Sequence, residues 1–525
     1  MAAVLFAIPR VSHGSSITSR LLIDPVGENN ADFFGTSVAW IGDVNADGFD
    51  DVLVGAFRYP EIGSIGQAYV YFGGPAIDDV ADLVIPAPPN GAGWFGISVA
   101  SAGDFNGDGH PDFIIGAQQS GNEGKAFVYC GGPALDATPD VTLTGESTGA
   151  LIWFGASVAS AGDVNRDGYD DVIVGAPRYP GNGDLNGRAY VFFGGAVLDA
   201  IPDRVFSALT PNDQLGAVVG SAGDMNGDGY PDVFASAPSS DAAGLNAGAI
   251  RVWFGGPAFD SVVDLTLLGS GMNEHLMNAA SAGDVNDDGF SDLIGAGRSQ
   301  ARVWFGGSQP NATADLTIGR TYPTVAGAGD VNGDGKDDFV VGAPYDGADG
   351  AGGRVSVFFG GSSVDTVGDL SYVGDHAGQS LGLCVAGGGH VDGLGPADVI
   401  ASAYEDPDQI GYNQGRVLVF ANAFSPVAVP QPAPHQGLTF LGPRPNPASN
   451  EVNLVFGLDR AVAVRVTVYD LAGHEVARPI ANEWLAGHVK RAWRPRGLPS
   501  GVYYVHAKLG DQQQVRKVVW LGDRR

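Results

Sequence analysis

Short apolar runs separated by turns rich in glycine and aspartate make up most of the chain, and they follow a four-part rule. A brief strand such as Ser98-Val99-Ala100 runs into an Asp-rich turn. A β-branched run follows, for example Asp171-Val172-Ile173-Val174. It closes on a corner seen as Gly175-Ala176-Pro177, Ser236-Ala237-Pro238 and Gly342-Ala343-Pro344. An aromatic strand ending in Gly-Gly comes next, as in Tyr190-Val191-Phe192-Phe193-Gly194-Gly195. A short strand opening at Asp82-Leu83, Asp264-Leu265, Asp315-Leu316 or Asp369-Leu370 completes the unit.

The Asp-rich turn is a repeated phrase. It reads GDVNADGFDD at Gly42, GDFNGDGHPD at Gly103, GDVNRDGYDD at Gly162 and GDMNGDGYPD at Gly223. It returns as GDVNDDGFSD at Gly283, GDVNGDGKDD at Gly329 and a worn GHVDGLGPAD at Gly389. Successive copies lie 61, 59, 61, 60, 46 and 60 residues apart, the short interval following a trimmed stretch after Asp292. Four short strands in roughly 60 residues form one blade of a β-propeller, so seven copies predict an all-β, seven-bladed ring. The seventh copy supplies three strands, the last from Arg416 to Phe420. An orphan strand stands near the start, at Arg20-Leu21-Leu22-Ile23-Asp24. Pairing the two closes the ring and hides both edges.

Composition refines this picture. At 525 residues the chain exceeds one ordinary core. Its 81 Gly and 32 Pro, set against 44% hydrophobic residues, fit many tight turns better than disorder. A net charge of -31 speaks against nucleic acid, whose phosphates it would repel. Charge is uneven: from residue 438 onward the chain carries +6, and the remainder -37. Cys130 and Cys384 stand in different repeats and read as buried free thiols rather than a disulfide scaffold. No run approaches the ~20 apolar residues that span a bilayer. Residues 1–16 read as a clipped signal peptide or leader lacking a basic start, 17–425 as the propeller and 426–437 as a Pro-rich linker. Residues 438–525 read as a small Ig-like β-sandwich.

The phrase D-x-N-x-D-G-x-x-D has the chemistry of a calcium loop. Side chains at positions 1, 3 and 5 converge as the loop curls, and Gly at 6 permits the turn. Position 7 offers its carbonyl and a carboxylate at 9 closes the shell. Blade 1 supplies Asp43, Asn45, Asp47, the Phe49 carbonyl and Asp51, and blade 2 supplies Asp104, Asn106, Asp108, His110 and Asp112. Asp163, Asn165, Asp167, Tyr169 and Asp171 follow in blade 3, then Asp224, Asn226, Asp228, Tyr230 and Asp232 in blade 4. Blade 5 gives Asp284, Asn286, Asp288, Phe290 and Asp292, and blade 6 gives Asp330, Asn332, Asp334, Lys336 and Asp338. One such loop alone also suits a solvated turn, since Asp, Asn and Gly favour turns. Six with carboxylates at both 1 and 9 predict six structural calcium ions, taking the propeller from -37 to -25. An EF-hand is excluded because position 12 is Val54, Ile115, Val174, Ala235, Gly295 or Val341, inside a strand pattern. The seventh loop keeps Asp392 and Asp398 but has His390 and Leu394 at positions 1 and 5, so it is expected to be empty. His110 is expected to point to solvent.

Phe34-Gly35, Phe95-Gly96 and Phe154-Gly155, each upstream of an Asp-rich loop and a Gly-Ala-Pro corner, resemble FG-GAP repeats. These build the propellers of integrin α subunits and of many bacterial surface proteins. The resemblance covers roughly residues 20 to 425, with His275-Leu276 and Thr321-Tyr322 read in place of Phe-Gly in blades 5 and 6, and Leu381-Gly382 in blade 7. It implies that ligands bind the face opposite the Asp-rich loops. The candidates there are Arg58, Tyr59, Trp94, Trp153, Arg178, Tyr179, Tyr345 and Tyr404, the tyrosines being expected to be exposed. Trp94 and Trp153 equally suit packing between blades.

In the tail, Pro445-Asn446-Pro447, then Val468-Tyr469-Asp470-Leu471-Ala472-Gly473, then Gly497-Leu498-Pro499-Ser500-Gly501-Val502-Tyr503-Tyr504 resemble the C-terminal sorting domain of the bacterial type IX secretion system. The Ig-like domain of flagellar hook-capping proteins is similar. The expected protein is a secreted or surface-attached bacterial calcium-binding propeller, monomeric, acting on an extracellular protein or glycan by adhesion. The nine histidines are scattered and no H-E-x-x-H or G-x-S-x-G motif occurs, so an enzyme is not expected. The alternative is a calcium-dependent polysaccharide lyase or hydrolase on the same scaffold.

Overall fold

A computed structural model describes residues 17–28, 32–59, 65–75, 77–89, 93–181, 184–346, 352–374, 378–404, 415–424, 439–444, 452–470, 474–495, 498–510 and 512–520. The leader 1–16, the linker 426–437, Pro445-Asn446-Pro447 and Leu471-Ala472-Gly473 lie outside them.

Among the described residues the strands form seven four-stranded antiparallel sheets in chain order. Blade 1 runs Phe34–Trp40, Val52–Ala56, Gln67–Tyr71 and Leu83–Pro86. The last sheet joins Val385–Gly389, Asp398–Ala403 and Arg416–Phe424 to Ile17–Ile23, the predicted closure. Arg416 Nη2 donates to Asp24 Oδ2 at 2.6 Å beside that seam.

The second strand of each blade is apolar throughout because both of its faces are covered. Val52 and Val54 pack toward blade 7, whereas Leu53 packs toward blade 2 with Phe95, Val99 and Phe113. The propeller core is therefore a set of layers between blades, one per interface, rather than one central mass. The first strands of neighbouring blades touch around the axis. There Ser37 Oγ accepts from Val99 N at 2.9 Å, and Ser98 Oγ accepts from Val158 N at 3.1 Å.

The tail is a separate β unit. Thr439–Arg444, Val452–Tyr469, Gly501–Leu509 and Gln512–Trp520 pair in that order, and Glu475–Trp493 adds to the long Val452–Tyr469 strand. The sheet folds over Phe440, Leu454, Phe456, Val466, Val505 and Trp520, and Phe440 N reaches Gln514 Oε1 at 2.8 Å. No helix among the described residues is long and apolar enough to cross a membrane.

Candidate metal loops and the opposite face

Each Asp-rich loop joins the first and second strands of a blade. In blade 1 the Asp43 carboxylate accepts from the N–H groups of Asp47 at 2.8 Å and Gly48 at 2.7 Å. Asn45 Oδ1 accepts from Asp47 N at 2.9 Å, while its amide donates to Asp47 Oδ2 at 2.9 Å. The same four bonds recur in blades 2 to 6. Positions 1, 3 and 5 are thus wound around one curl of main chain. Their carboxylates are turned to loop N–H groups, and among the described residues no three His, Cys, Asp or Glu side chains are drawn into a metal-holding group.

Position 9 is different. Asp51 is buried; its Oδ2 accepts from Val44 N at 3.0 Å and its Oδ1 from Gly73 N at 2.8 Å. It therefore ties the loop to the Gly-Gly at the end of strand three. Burial pushes this carboxyl up to about 7, with Asp47 and Asp43 adding repulsion against the two N–H bonds. Asp112, Asp232 and Asp292 are pushed to about 7, and Asp171 and Asp338 to about 8, all chiefly by burial. The worn seventh loop keeps this brace in Asp398, also pushed to about 7 by burial. There the buried Asp392 receives Arg20 Nη2 of the closing strand at 3.0 Å.

The donor set of blades 1 to 6 is all oxygen, which fits a hard dication. An ion would supply positive charge beside carboxyls that burial otherwise holds near neutral. Asp43, Asn45, Asp47, Asp51 and the Phe49 carbonyl, with their counterparts, are the residues that would hold it.

Sequence reasoning missed two repeated polar roles. The Asp opening strand four caps strand three: Asp82 Oδ2 accepts from Phe72 N at 3.0 Å, and Asp203, Asp264, Asp315 and Asp369 do the same. Position 8 of the loop is the second, with Asp50, Asp170 and Asp337 bonding the blade before. Both signals were legible, the first as Asp-Leu and the second as Asp-Asp. His110 is half-buried, not turned free to solvent, and its ring lies against Gly132.

On the opposite face, the residue before each Phe-Gly pair has a left-handed backbone. Phe33, Trp94, Trp153, Gln214, His275, Tyr322 and Ser380 have φ between 49° and 63°. This regularity corrects the register in two blades. Leu276-Met277 and Pro323-Thr324, not His275-Leu276 and Thr321-Tyr322, stand in place of Phe-Gly; Leu276 bridges Gly248 as Phe95 bridges Gly66.

Tyr59 is corrected too. It is only 5% exposed and belongs to the layer between blades 7 and 1, so it offers no contact surface. Arg58 is exposed, with its guanidinium 5.1 Å from the Phe33 ring centroid. Half-buried Tyr404, Phe33 and Trp94 form a ribbon through buried Phe57. Centroids lie 6.3 Å apart for Tyr404 and Phe33, 5.3 Å for Phe33 and Phe57, and 5.1 Å for Phe57 and Trp94. Trp94 thus packs across blades. Arg178 lies 4.4 Å over half-buried Trp153, and Arg188 lies 3.7 Å over Tyr179, whose hydroxyl donates to Glu146 at 3.1 Å. Tyr345 is exposed and meets Tyr322 edge-on at 5.8 Å.

A closed β-propeller with a β tail is the class of protein these features define. The FG-GAP repeat model matches residues 34–71, 95–129, 154–192, 216–253 and 322–358, and the secretion system C-terminal sorting domain matches 445–520. The chain is therefore an integrin-like FG-GAP propeller protein with a sorting tail, which marks it for secretion or for the surface of a bacterium. It is 35% identical to integrin alpha-5 of Xenopus laevis over 30% of this chain and 16% of that protein. It is 31% identical to integrin alpha-V of Gallus gallus over 41% and 21%. Phosphatidylinositol-glycan-specific phospholipase D of Bos taurus is 31% identical over 35% and 24%. The match thus spans less than a quarter of each relative's own length.

Proposed function

We propose that this protein is a calcium-loaded adhesion module that holds an extracellular protein or glycan at the bacterial surface. Calcium occupies the loops of blades 1 to 6 and is structural, bracing the turn between the first two strands. Blade 7 takes no ion, because Arg20 supplies the positive charge at Asp392. The observation that carries the reading is the same all-oxygen loop repeated six times around a buried position-9 carboxyl.

Target binding falls to the face away from these loops. Arg58 and Tyr345 are exposed there, and half-buried Trp94, Trp153, Arg178, Tyr179 and Tyr404 line the same face, a chemistry that suits sugar rings and peptide loops. The integrin relatives favour a binding role. The bovine relative is named a phospholipase, which is the ground for keeping an enzymatic alternative in the test.

The test is retention of the full chain on a panel of polysaccharides and surface extracts, with calcium and with chelator, while products are monitored. Calcium-dependent retention without products is the expected result. Release of reducing ends or unsaturated sugars overturns the adhesion reading in favour of a lyase or hydrolase.

A further inference from the structure

Position 8 of the loop decides how neighbouring loops communicate, an inference that rests on the calcium reading above. It is aspartate in blades 1, 3 and 6 (Asp50, Asp170, Asp337), proline in blades 2 and 4 (Pro111, Pro231) and serine in blade 5 (Ser291). Asp170 Oδ2 accepts the N–H of Asp104, position 1 of the preceding loop, at 2.8 Å. Asp170 N–H in turn donates to the Asp104 carbonyl at 3.1 Å, making a two-way clasp. Asp337 Oδ2 holds Asp284 N at 2.9 Å, and Asp50 Oδ2 holds His390 N at 2.7 Å. Each latch residue directly precedes a buried position-9 aspartate of its own loop. Between blades 4 and 5 only a main-chain bond remains, Ser291 N–H donating to the Asp224 carbonyl at 3.0 Å. Between blades 1 and 2 the side-chain latch is missing, with Pro111 packing instead against Gly42.

We infer that the latches couple calcium uptake in blade 2 to that in blade 3, and in blade 5 to that in blade 6. The loop of blade 1 fills independently, because its latch reaches only the incomplete loop of blade 7. The mechanism is order shared through the position-8 carboxylate, which grips the position-1 N–H of the preceding loop. An ion on Asp104 fixes that residue's main chain, which fixes Asp170 and, through one peptide unit, Asp171. The second ion then meets a loop already ordered, which is positive coupling without a change of fold. The Asp170 carboxylate also bridges the two loops as an anion, offsetting repulsion between two dications.

Calorimetric calcium titration of the full chain tests this, with far-UV circular dichroism confirming the fold of each variant. Asp43→Asn is expected to remove one ion and leave the others at wild-type affinity. Asp104→Asn is expected to remove one ion and weaken a second by about fivefold or more, the usual lower bound of such coupling. Asp170→Ala keeps every ligand but removes the latch acceptor and is expected to weaken two sites, whereas Asp50→Ala leaves number and affinity unchanged. If Asp170→Ala disturbs the fold, Asp337→Ala asks the same of the pair in blades 5 and 6. Equal behaviour of Asp43→Asn and Asp104→Asn, or unchanged sites in a folded latch variant, overturns the coupling while leaving the calcium reading intact. A wild-type chain that takes up no calcium overturns the calcium reading itself.

Discussion

Adjacent residues on the opposite face have contrasting fates. Arg58 stands out over the Phe33 ring, whereas Tyr59 is packed between blades 7 and 1. Tyr59→Ala should cost about 3–5 kcal/mol, the range for emptying a large aromatic site, and Arg58→Ala about 0.5 kcal/mol or less. Urea unfolding midpoints separate the two, and comparable losses would return Tyr59 to the surface. The position-9 carboxyls make a second prediction. Their folded values of about 7 to 8 lie above the ordinary 3.8, so the folded chain keeps protons that the unfolded chain has released. With chelator present, the stability these carboxyls contribute is therefore fully present below about pH 4 and is lost as pH rises through 7 to 8. Unfolding midpoints at pH 5 and pH 8 should fall in that order, and added calcium should restore the pH 8 value. A midpoint that rises with pH in chelator would contradict the burial argument.

At the scale of the strand and its turns, the repeat grammar has a steric reason. The corner glycine of one blade lies under the Phe-Gly turn of the next. A Cβ on Gly55 would stand 2.1 Å from the Gly96 carbonyl oxygen, and one on Gly116 would stand 2.1 Å from that of Gly155. Gly116 lies within a strand without a left-handed backbone, so contact alone demands glycine. Gly116→Ala should therefore destabilise the chain by about 4 kcal/mol or more, because the obstructing atom is main chain. A melting temperature within a degree of wild type would refute this close approach. Strand identity, corner position and the curl of the Asp loops were all legible, since local spacing encodes them. The register of blades 5 and 6 was not. Leu276-Met277 and Pro323-Thr324 lack the Phe-Gly letters and are placed by a left-handed turn shared with the other blades and, for Leu276, by its bridge to Gly248.

For the whole molecule, ring closure rests on the pairing of Ile17–Ile23 with Arg416–Phe424, supported by Arg416 on Asp24 and Arg20 on Asp392. Removing residues 1–23 exposes the long edge of Arg416–Phe424 and leaves blade 7 with three strands. Such a chain should self-associate and melt at lower temperature, as light scattering and calorimetry would show. A truncated chain that stays monodisperse and melts normally would show that closure does not depend on this strand. By itself the sequence determined blade number, loop chemistry, closing strand and sorting tail, because each depends on spacing along the chain that repeats or stands out. Only the tertiary structure decided that Tyr59 is core, that Arg20 serves the seventh loop, and that Asp170 belongs as much to blade 2 as to blade 3. The first and third are contacts between blades and the second joins chain segments 372 residues apart within blade 7, and a repeat read one copy at a time contains no term for either.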